Sequence, residues 1–481
     1  MGADATRAGR PSYEQLEALV ASQAALIGEL REEVCQLRAT VAELQGRLGA
    51  NSGNSSRPPS SDGLGKAPVD PKKRSLRKAS GRKQGGQEEH PGARLLPAAV
   101  SDEIVEHLPQ CCGGCGGDLA GAEKLHGGQS RQVFDVPEQA ALRVIEHVAA
   151  LRRCACGHVT AGLFPDAVCA PVQYGPGVRA LGVYLVVFQF LPYDRACQAL
   201  SDMVGAQVST GSLVNWVTGA ADGLCDFDER LRGLLSAAPV VNFDETGARI
   251  AGRLNWVHSA STDTLTRYTS HTKRGCEAID AAGILPAFTG VAVHDGWAPY
   301  RKYDCDHGLC NIHHLRELVG ASEAGHTWPV AMSRLLLDTK DLVAQARGAG
   351  ATQLDHGALT ELAASFATII KIGHQQHPAT TAGKRTKAHN LLLRLERHQP
   401  DVLRFAHDFR VPFGNNQAEQ DIRMAKLQQK ISGCWRTPEG AQRFLTIRSY
   451  ISTTLKHSLP ALPALRQLTA GTPWLPHAAL P

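Results

Sequence analysis

The sequence predicts a multidomain protein of mixed helix and sheet, and three observations carry this prediction. An apolar repeat near the N-terminus indicates a coiled coil over residues 12–50. A stretch rich in Gly, Ser, Pro and Lys, residues 51–100, then predicts a flexible linker. Further on, two apolar β-runs with acidic ends flank a meander and a helix, which indicates an α/β core within residues 236–450. The chain has 481 residues, too many for one ordinary core, so several domains are expected.

Composition argues against two classes of protein. No apolar run reaches the roughly eighteen residues of a membrane span, and the N-terminus lacks the pattern of a cleavable signal. The chain has 13 cysteines, an odd number scattered along its length, which favours reduced thiols over a disulfide framework. We therefore expect a soluble, cytoplasmic protein with no membrane partner.

The N-terminal segment repeats every seven residues, with mostly β-branched side chains at one seam position and mostly Leu at the other. This combination favours a parallel two-stranded coiled coil, and so at least a homodimer. The alternative is a single amphipathic helix packed on its own protein. The two seam positions are occupied by Val20, Ile27, Val34, Val41 and Leu48, and by Leu16, Gln23, Leu30, Leu37 and Leu44.

The linker that follows is strongly basic. Residues 66–85, "KAPVDPKKRSLRKASGRKQG", contain a single acidic residue among many Lys and Arg. Basic segments of this kind bind the phosphates of nucleic acids, so Lys72, Lys73 and Arg74 are candidate contacts to DNA. A solvated, disordered linker is the other reading, and both can hold.

Cysteines mark a small module at residues 101–172. Cys112 and Cys115 in "CCGGCGGDL" have zinc-knuckle spacing, and Cys154 and Cys156 in "CACGHV" complete a candidate tetrahedral site for one structural Zn²⁺. Cys111 competes with Cys112 for a place in the site. Ordinary reduced cysteines are the alternative.

The next region, residues 173–235, is predicted to be helical. A turn at Gly205, a cap at Ser209 and apolar Leu213 and Val217 follow the rhythm of a helix-turn-helix. A plain helical bundle has the same rhythm, so a DNA-binding role stays one of two readings.

Two carboxylates carry the main functional prediction. "PVVNFDET" and "GVAVHDGW" are β-runs ending at Asp244 and Asp295, with two further strands and a helix between them. A ribonuclease-H-like sheet places such acids side by side at the ends of neighbouring strands. Gathered acids repel one another unless cations separate them, and two Mg²⁺ ions about 3.5–4 Å apart satisfy them and act on phosphodiesters. Helix caps or surface turns are the alternative for each acid.

A third carboxylate is expected from a helix beside the sheet. In "FGNNQAEQDIRMAKLQQKISGCWR", Asn415 or Asn416 is the predicted N-cap and Glu419 lies in the first turn. Further along one helical stripe stand Arg423, Lys426 and Lys430. This stripe predicts a metal ligand followed by DNA-phosphate contacts, and an exposed salt-bridging face is the alternative.

Several motifs together resemble the DDE transposases of the IS66 family of bacterial insertion sequences. They are "NFDETG", "HDGWAPY", "HGLCNIHHLREL" and "NNQAEQDIRMAKLQQKISGCWR", with the heptads, the "NSGNSSRPPSSD" linker and the cysteines in addition. The resemblance implies a catalytic triad of Asp244, Asp295 and Glu419, and identifies Lys426 as the basic residue that follows the Glu. In one respect the chain departs from the family, since its second cysteine pair is C-x-C where C-x-x-C is usual.

The resemblance also marks Cys310 and His313 as a C-x-x-H element between the second Asp and the Glu. From the residues alone, Cys305, Cys310 and His313 form a second candidate zinc site, but a role in core packing and DNA positioning is the preferred reading. Helical patterns indicate an all-α insertion at about residues 322–410, and residues 451–481 are assigned to a C-terminal tail.

The implied chemistry is Mg²⁺-dependent cleavage at the 3′ ends of the element followed by strand transfer, with Mn²⁺ as an alternative ion. The partners implied are DNA, both the terminal inverted repeats and the target, and small accessory proteins of the element; the location is the bacterial nucleoid. Two rivals remain: a zinc and helix-turn-helix regulator without catalysis, and a ribonuclease-H-like nuclease that cuts but does not join.

Overall fold

The computed structural model describes residues 12–48, 54–55, 98–123, 131–134, 142–153, 155–156, 158–377 and 385–477. The chain divides into two compact units. One comprises Met1–Lys66, Ile145–Asp202 and Ala206–Pro481, and the other Ala67–Val144 with Met203–Gly205. In the smaller unit, Cys111 and Asp118 form an isolated antiparallel bridge around a tight turn.

The N-terminal heptads form one long helix, α1 (Tyr13–Leu48), so the predicted N-terminal helix is confirmed. Its seam side chains lie exposed in the single chain, as Leu16, Ile27 and Leu30 show. The side chains of Leu44 and Leu48 lie outside the described residues, as do Lys72, Lys73 and Arg74 of the linker. The predicted coiled coil therefore stays a prediction about a second copy of the chain.

A short hairpin, with the second cysteine pair between its strands, is followed by a series of helices. The Ser209 cap is confirmed, because its hydroxyl accepts the backbone N–H of Ser212. Gly205 adopts a positive φ of 71° at the predicted turn, and Leu213 and Val217 are buried as expected. The elements are β1 (Leu151–Arg153), β2 (Val159–Ala161), α2 (Pro176–Val183), a π-helical turn (Tyr184–Phe188), α3 (Tyr193–Val204), α4 (Thr210–Asp222) and α5 (Cys225–Ser236).

A five-stranded mixed sheet forms the centre of the larger unit. Its strands are β3 (Val240–Ile250), β4 (Arg253–Ser261), β5 (Thr266–His271), β6 (Val291–His294) and β7 (Asp306–Leu309), in the order β5-β4-β3-β6-β7. The first three form the predicted antiparallel meander, whereas β6 pairs parallel with both β3 and β7. The predicted helix between β5 and β6 is α6 (Cys276–Ala282).

One strand is longer than predicted. The sequence placed the end of the first β-run at its acidic pair, but β3 continues to Ile250, where it turns into β4. Asp244 and Glu245 therefore lie in mid-strand. Hairpin pairing explains the difference, because each of these residues has a ladder partner on β4, Ser259 and His258 respectively.

The described residues between β7 and the acidic helix are mainly helical. Buried side chains of α7 to α12 form one core with the parallel strands, including Leu315, Trp328 and Phe366 against Val293 and Leu309. These helices are α7 (Asn311–Glu323), α8 (Trp328–Gly348), α9 (His356–Gln376), α10 (Lys387–Arg397), α11 (Gln399–Val402) and α12 (Arg404–His407).

The segment that the sequence assigned to a C-terminal tail, residues 451–481, contains the end of one helix and all of another. After α13 (Asn416–Ser432), helix α14 (Pro438–Lys456) packs along β5, and α15 (Ala461–Thr469) packs on α2. Burial of apolar side chains in α15, such as Leu465 and Leu468, fixes this segment. No helix among the described residues is long and apolar enough to cross a membrane.

Candidate active site

The register of the sheet brings two predicted acids to the same level. Parallel pairing of β3 with β6 ends at Asn242 opposite Val293, and Asp244 and Asp295 each lie two residues further along. Side chains two residues apart in a strand share a face, and neighbouring strands lie about 4.8 Å apart. The two carboxylates accordingly interact electrostatically.

The third acid reaches this place from helix α13. Asn415 is its N-cap residue, and Glu419 lies in the first turn. The side chain of Asn415 makes no cap hydrogen bond and instead donates to the carbonyl oxygen of Phe243, at 2.7 Å. This contact ties the start of α13 to the strand position before Asp244, and the charge of Glu419 acts on Asp244.

Burial raises the pKa of Asp244 well above its ordinary value. The negative charges of Glu245, Asp295 and Glu419 add to this shift, while the backbone N–H of Glu245 acts in the opposite direction. Glu419 Oε1 is buried and lacks a hydrogen-bond partner within the described part of the chain. Three converging carboxylates with these properties fit a hard divalent cation such as Mg²⁺.

The neighbouring acid, Glu245, is held differently. Arg274 donates two hydrogen bonds to its Oε1, at 3.0 and 2.7 Å, and the Tyr300 hydroxyl donates to its Oε2 at 2.5 Å. Burial and the charge of Asp295 still raise the pKa of Glu245. The Arg274 guanidinium also lies over the rings of Trp256 and Trp297, at 4.8 and 4.1 Å. Glu245 is therefore already paired with a cation of the chain itself.

Basic groups flank the other side of the acids. His313 Nδ1 lies 3.7 Å from Glu419 Oε1, and Arg316 lies 4.0 Å from Oε2. Burial lowers the pKa of His313, although the charges of Glu419 and Asp295 act against this shift. These separations exceed hydrogen-bonding distance, so the carboxylate of Glu419 is near its basic neighbours without being bonded to them.

Cys310 joins this group from the end of β7. Its side chain is fully buried, and burial raises the pKa of its thiol to about 11. The sulfur, a ring nitrogen of His313 and a carboxylate oxygen of Glu419 all lie within 4.8 Å of one another. Cys305, the third member of the candidate set considered from sequence, is not one of these three.

The predicted basic stripe of α13 divides into two kinds of residue. Arg423 and Lys430 are exposed, whereas Lys426 is half-buried and donates to the carbonyl oxygen of Gly247 on β3, at 2.7 Å. Burial, with the charge of Lys430, lowers the pKa of Lys426. Lys426 thus connects helix and sheet, and the two exposed residues keep their guanidinium and ammonium groups in solvent.

Two of the candidate zinc ligands are placed in one turn. The backbone N–H of Gly116 donates to the carbonyl oxygen of Cys112. Hydrogen bonds from the backbone N–H groups of Cys115 and Gly114, and from the Cys115 side chain, lower the pKa of the Cys112 thiol. Cys156 is exposed in the turn between β1 and β2, and Cys154 lies outside the described residues.

The partners of the acids were not predicted from sequence. Arg274 and Tyr300 surround Glu245, but neither the charge pattern nor the strand periodicity marks these two residues. Asn415 was a predicted N-cap, but its hydrogen bond to the Phe243 carbonyl oxygen was not predicted. The adjacent acids of "FDET" were the one visible signal, since a buried strand rarely carries two charges without a partner.

Two family models match the chain. The model described as "Transposase IS66 family" matches residues 171–443, more than half of the chain and all three acids. A second, described as "Family of unknown function (DUF6444)", matches residues 9–95. No curated protein matches the chain.

Proposed function

Because the chain belongs to the IS66 family of transposases, we propose that it cuts the ends of an insertion sequence and joins them to target DNA at Asp244, Asp295 and Glu419. One observation carries the proposal: the sheet register and helix α13 bring Asp295 and Glu419 close enough to Asp244 for both charges to act on it. A regulator that only binds DNA has no use for three partly buried acids that repel one another, an arrangement that costs stability.

The architecture supports a ribonuclease-H-like core. Three antiparallel strands continue into two parallel ones. Asp244 lies on β3, Asp295 directly follows the neighbouring strand β6, and Glu419 lies on α13. In this arrangement the sheet fixes the first two carboxylates rigidly. The third comes with α13, which the Asn415 amide and the Lys426 ammonium attach to β3.

Asp244, Asp295 and Glu419 would hold Mg²⁺, with Mn²⁺ as an alternative, through oxygen ligands. When bound, the ion supplies Lewis-acid polarisation of the phosphate and lowers the pKa of the attacking hydroxyl. Glu245 stays outside this ligand set because Arg274 and Tyr300 occupy both of its oxygens. Arg423 and Lys430 on the exposed side of α13 are placed to neutralise DNA phosphates.

Two phosphoryl transfers are expected at this site. In the first, water attacks the phosphodiester at the element's 3′ end, and the broken P–O bond leaves a free 3′-hydroxyl. In the second, that hydroxyl forms a bond to a target phosphorus while the target's own P–O bond breaks. The leaving oxygen takes up a proton in each step, and no covalent enzyme intermediate is needed.

The test uses the full chain and labelled DNA duplexes carrying the inverted repeats that flank its gene. Asp244→Ala, Asp295→Ala and Glu419→Gln should each abolish cleavage and joining and leave DNA binding in gel shifts within about threefold, because metal ligands act on chemistry more than on docking. Glu439→Gln, an exposed acid in the first turn of α14, is the matched control and should retain activity.

Other outcomes separate the rivals. Cleaved ends that never join would identify a nuclease. Binding without any Mg²⁺-dependent cleavage by the wild type would favour the regulator. Near-normal cleavage by one of the three variants would remove that residue from the triad.

A further inference from the structure

Three side chains of different chemistry meet where β7, α7 and α13 come together. The ligand atoms of Cys310, His313 and Glu419 lie within 4.8 Å of one another, and His313 Nδ1 is 3.7 Å from Glu419 Oε1. Thiolate, imidazole and carboxylate are ligands that Zn²⁺ takes, at about 2.0–2.3 Å from the ion. Ligand atoms around such an ion are roughly 3–4 Å apart, so the observed spacing is close to that of a zinc site.

Two of these atoms lack the partners that burial demands. His313 Nδ1 and Glu419 Oε1 are both buried without a hydrogen-bond partner among the residues that the structure describes. Their separation is too long for a hydrogen bond between them. A buried polar atom left unpaired destabilises the folded state. A cation between the two atoms would satisfy both at once.

Backbone N–H groups face the sulfur and act against the burial that raises the pKa of the Cys310 thiol to about 11. Cys310 is the N-cap residue of α7, a helix of 13 residues. The backbone N–H of Asn415 donates to its Sγ at 3.0 Å, and the N–H groups of His313 and Ile312 also act on it. Backbone donors and a helix N-terminus both stabilise negative charge on sulfur.

We propose that Cys310, His313 and Glu419 bind one zinc-class divalent ion that attaches α13 to α7 and thereby fixes Glu419. The three side chains leave a fourth position for water. The proposal shares Glu419 with the proposed catalytic site but needs no transposition, because it concerns binding of an ion. The candidate zinc site considered from sequence consisted of Cys305, Cys310 and His313, and in the proposed site Glu419 takes the place of Cys305.

Cobalt is the probe, because a Co²⁺–thiolate bond gives near-ultraviolet charge-transfer absorption. The full chain would carry Cys112→Ser and Cys115→Ser to remove the N-terminal knuckle. This background should bind Co²⁺ with a thiolate band that Zn²⁺ abolishes. Cys310→Ser should lose the band, and Cys305→Ser, which changes the thiol at the other end of β7, should retain it.

A second variant guards against a folding defect. If the circular dichroism spectrum shows that Cys310→Ser does not fold, His313→Gln provides the test of metal binding instead. The side chain of His313 is 18% exposed and tolerates substitution more readily. It should weaken Co²⁺ binding at least tenfold. Asp244→Ala and Asp295→Ala should keep the band while losing cleavage, which separates this ion from the catalytic one.

Two results would overturn the proposal. One is a background protein with no thiolate band. The other is a band that survives both Cys310→Ser and His313→Gln at unchanged affinity. Loss of catalysis in the triad variants bears on the proposed function alone.

Discussion

The side-chain amide of Asn415 donates a hydrogen bond to the carbonyl oxygen of Phe243 at 2.7 Å. Phe243 precedes Asp244 on β3, and Asn415 precedes the helix that carries Glu419. The backbone N–H of Asn415 meanwhile donates to Cys310 Sγ. One buried residue therefore sets the position of the acidic helix against both the sheet and α7.

Asn415→Ala should destabilise the protein by about 1–3 kcal/mol, since it leaves the Phe243 carbonyl oxygen buried without a donor. The measurement is the free energy of unfolding in urea. Asn416→Ala is the matched control, because the adjacent Asn416 is exposed and should change stability by no more than about 0.5 kcal/mol. Equal losses in the two variants would contradict a special role for Asn415.

The raised pKa of Asp244 predicts a pH dependence of stability in metal-free protein. An acid whose pKa is higher in the folded state than in the unfolded state opposes folding once it is ionised. The free energy of unfolding should therefore fall as pH rises from the ordinary value of 3.8 through the raised pKa. In the same pH range, the free energy of unfolding of Asp244→Asn should fall less steeply than that of the wild type.

At pH 7 with a chelator present, Asp244→Asn should be more stable than wild type by about 0.5–2 kcal/mol. Substitutions that remove an unfavourable interaction from a functional site commonly stabilise a protein by this amount. Below pH 3.8 the advantage should disappear, because the wild-type carboxyl is then protonated in both states. Added Mg²⁺ should stabilise wild type more than the variant. Parallel pH profiles for the two proteins would refute the electrostatic account.

The exposed seam of α1 predicts self-association. In the full chain, Ile27→Asp should lower the mass measured by light scattering, because it places a charge in an apolar seam. Ala25→Asp, two residues away and outside the seam, should leave the mass unchanged. If both variants keep the wild-type mass, α1 is not the main contact between copies.

The sequence predicts that Cys112 and Cys115 are ligands of a structural Zn²⁺. Cys112→Ser should lower the zinc content of the full chain by about one ion, measured by atomic emission. Cys111→Ser should not, because Cys112 has the knuckle spacing to Cys115. Equal zinc content in both variants would remove Cys112 from the site.

Local patterns predicted much of the fold because they record which face of each element is buried. The alternation of apolar and polar residues in "RLNWVHSAST" and "TLTRYTSH" predicted β4 and β5. The predicted cap at Ser209 gave the start of α4. Each of these features depends on neighbours within a few residues. The length of β3 was not predictable in this way, since its second half is held by hairpin pairing with β4.

By itself, the sequence determined the heptad helix, the meander, the buried β-runs that carry Asp244 and Asp295, and the helical placement of Glu419, because short-range periodicity encodes them. Tertiary structure alone decided which charges have partners. Glu245 pairs with Arg274 and Tyr300, Lys426 bonds the Gly247 carbonyl oxygen, and the Glu419 carboxylate lies beside His313 without a bond to it. These partners come from distant parts of the chain, and sheet register and helix packing, rather than local propensity, set the distances between them.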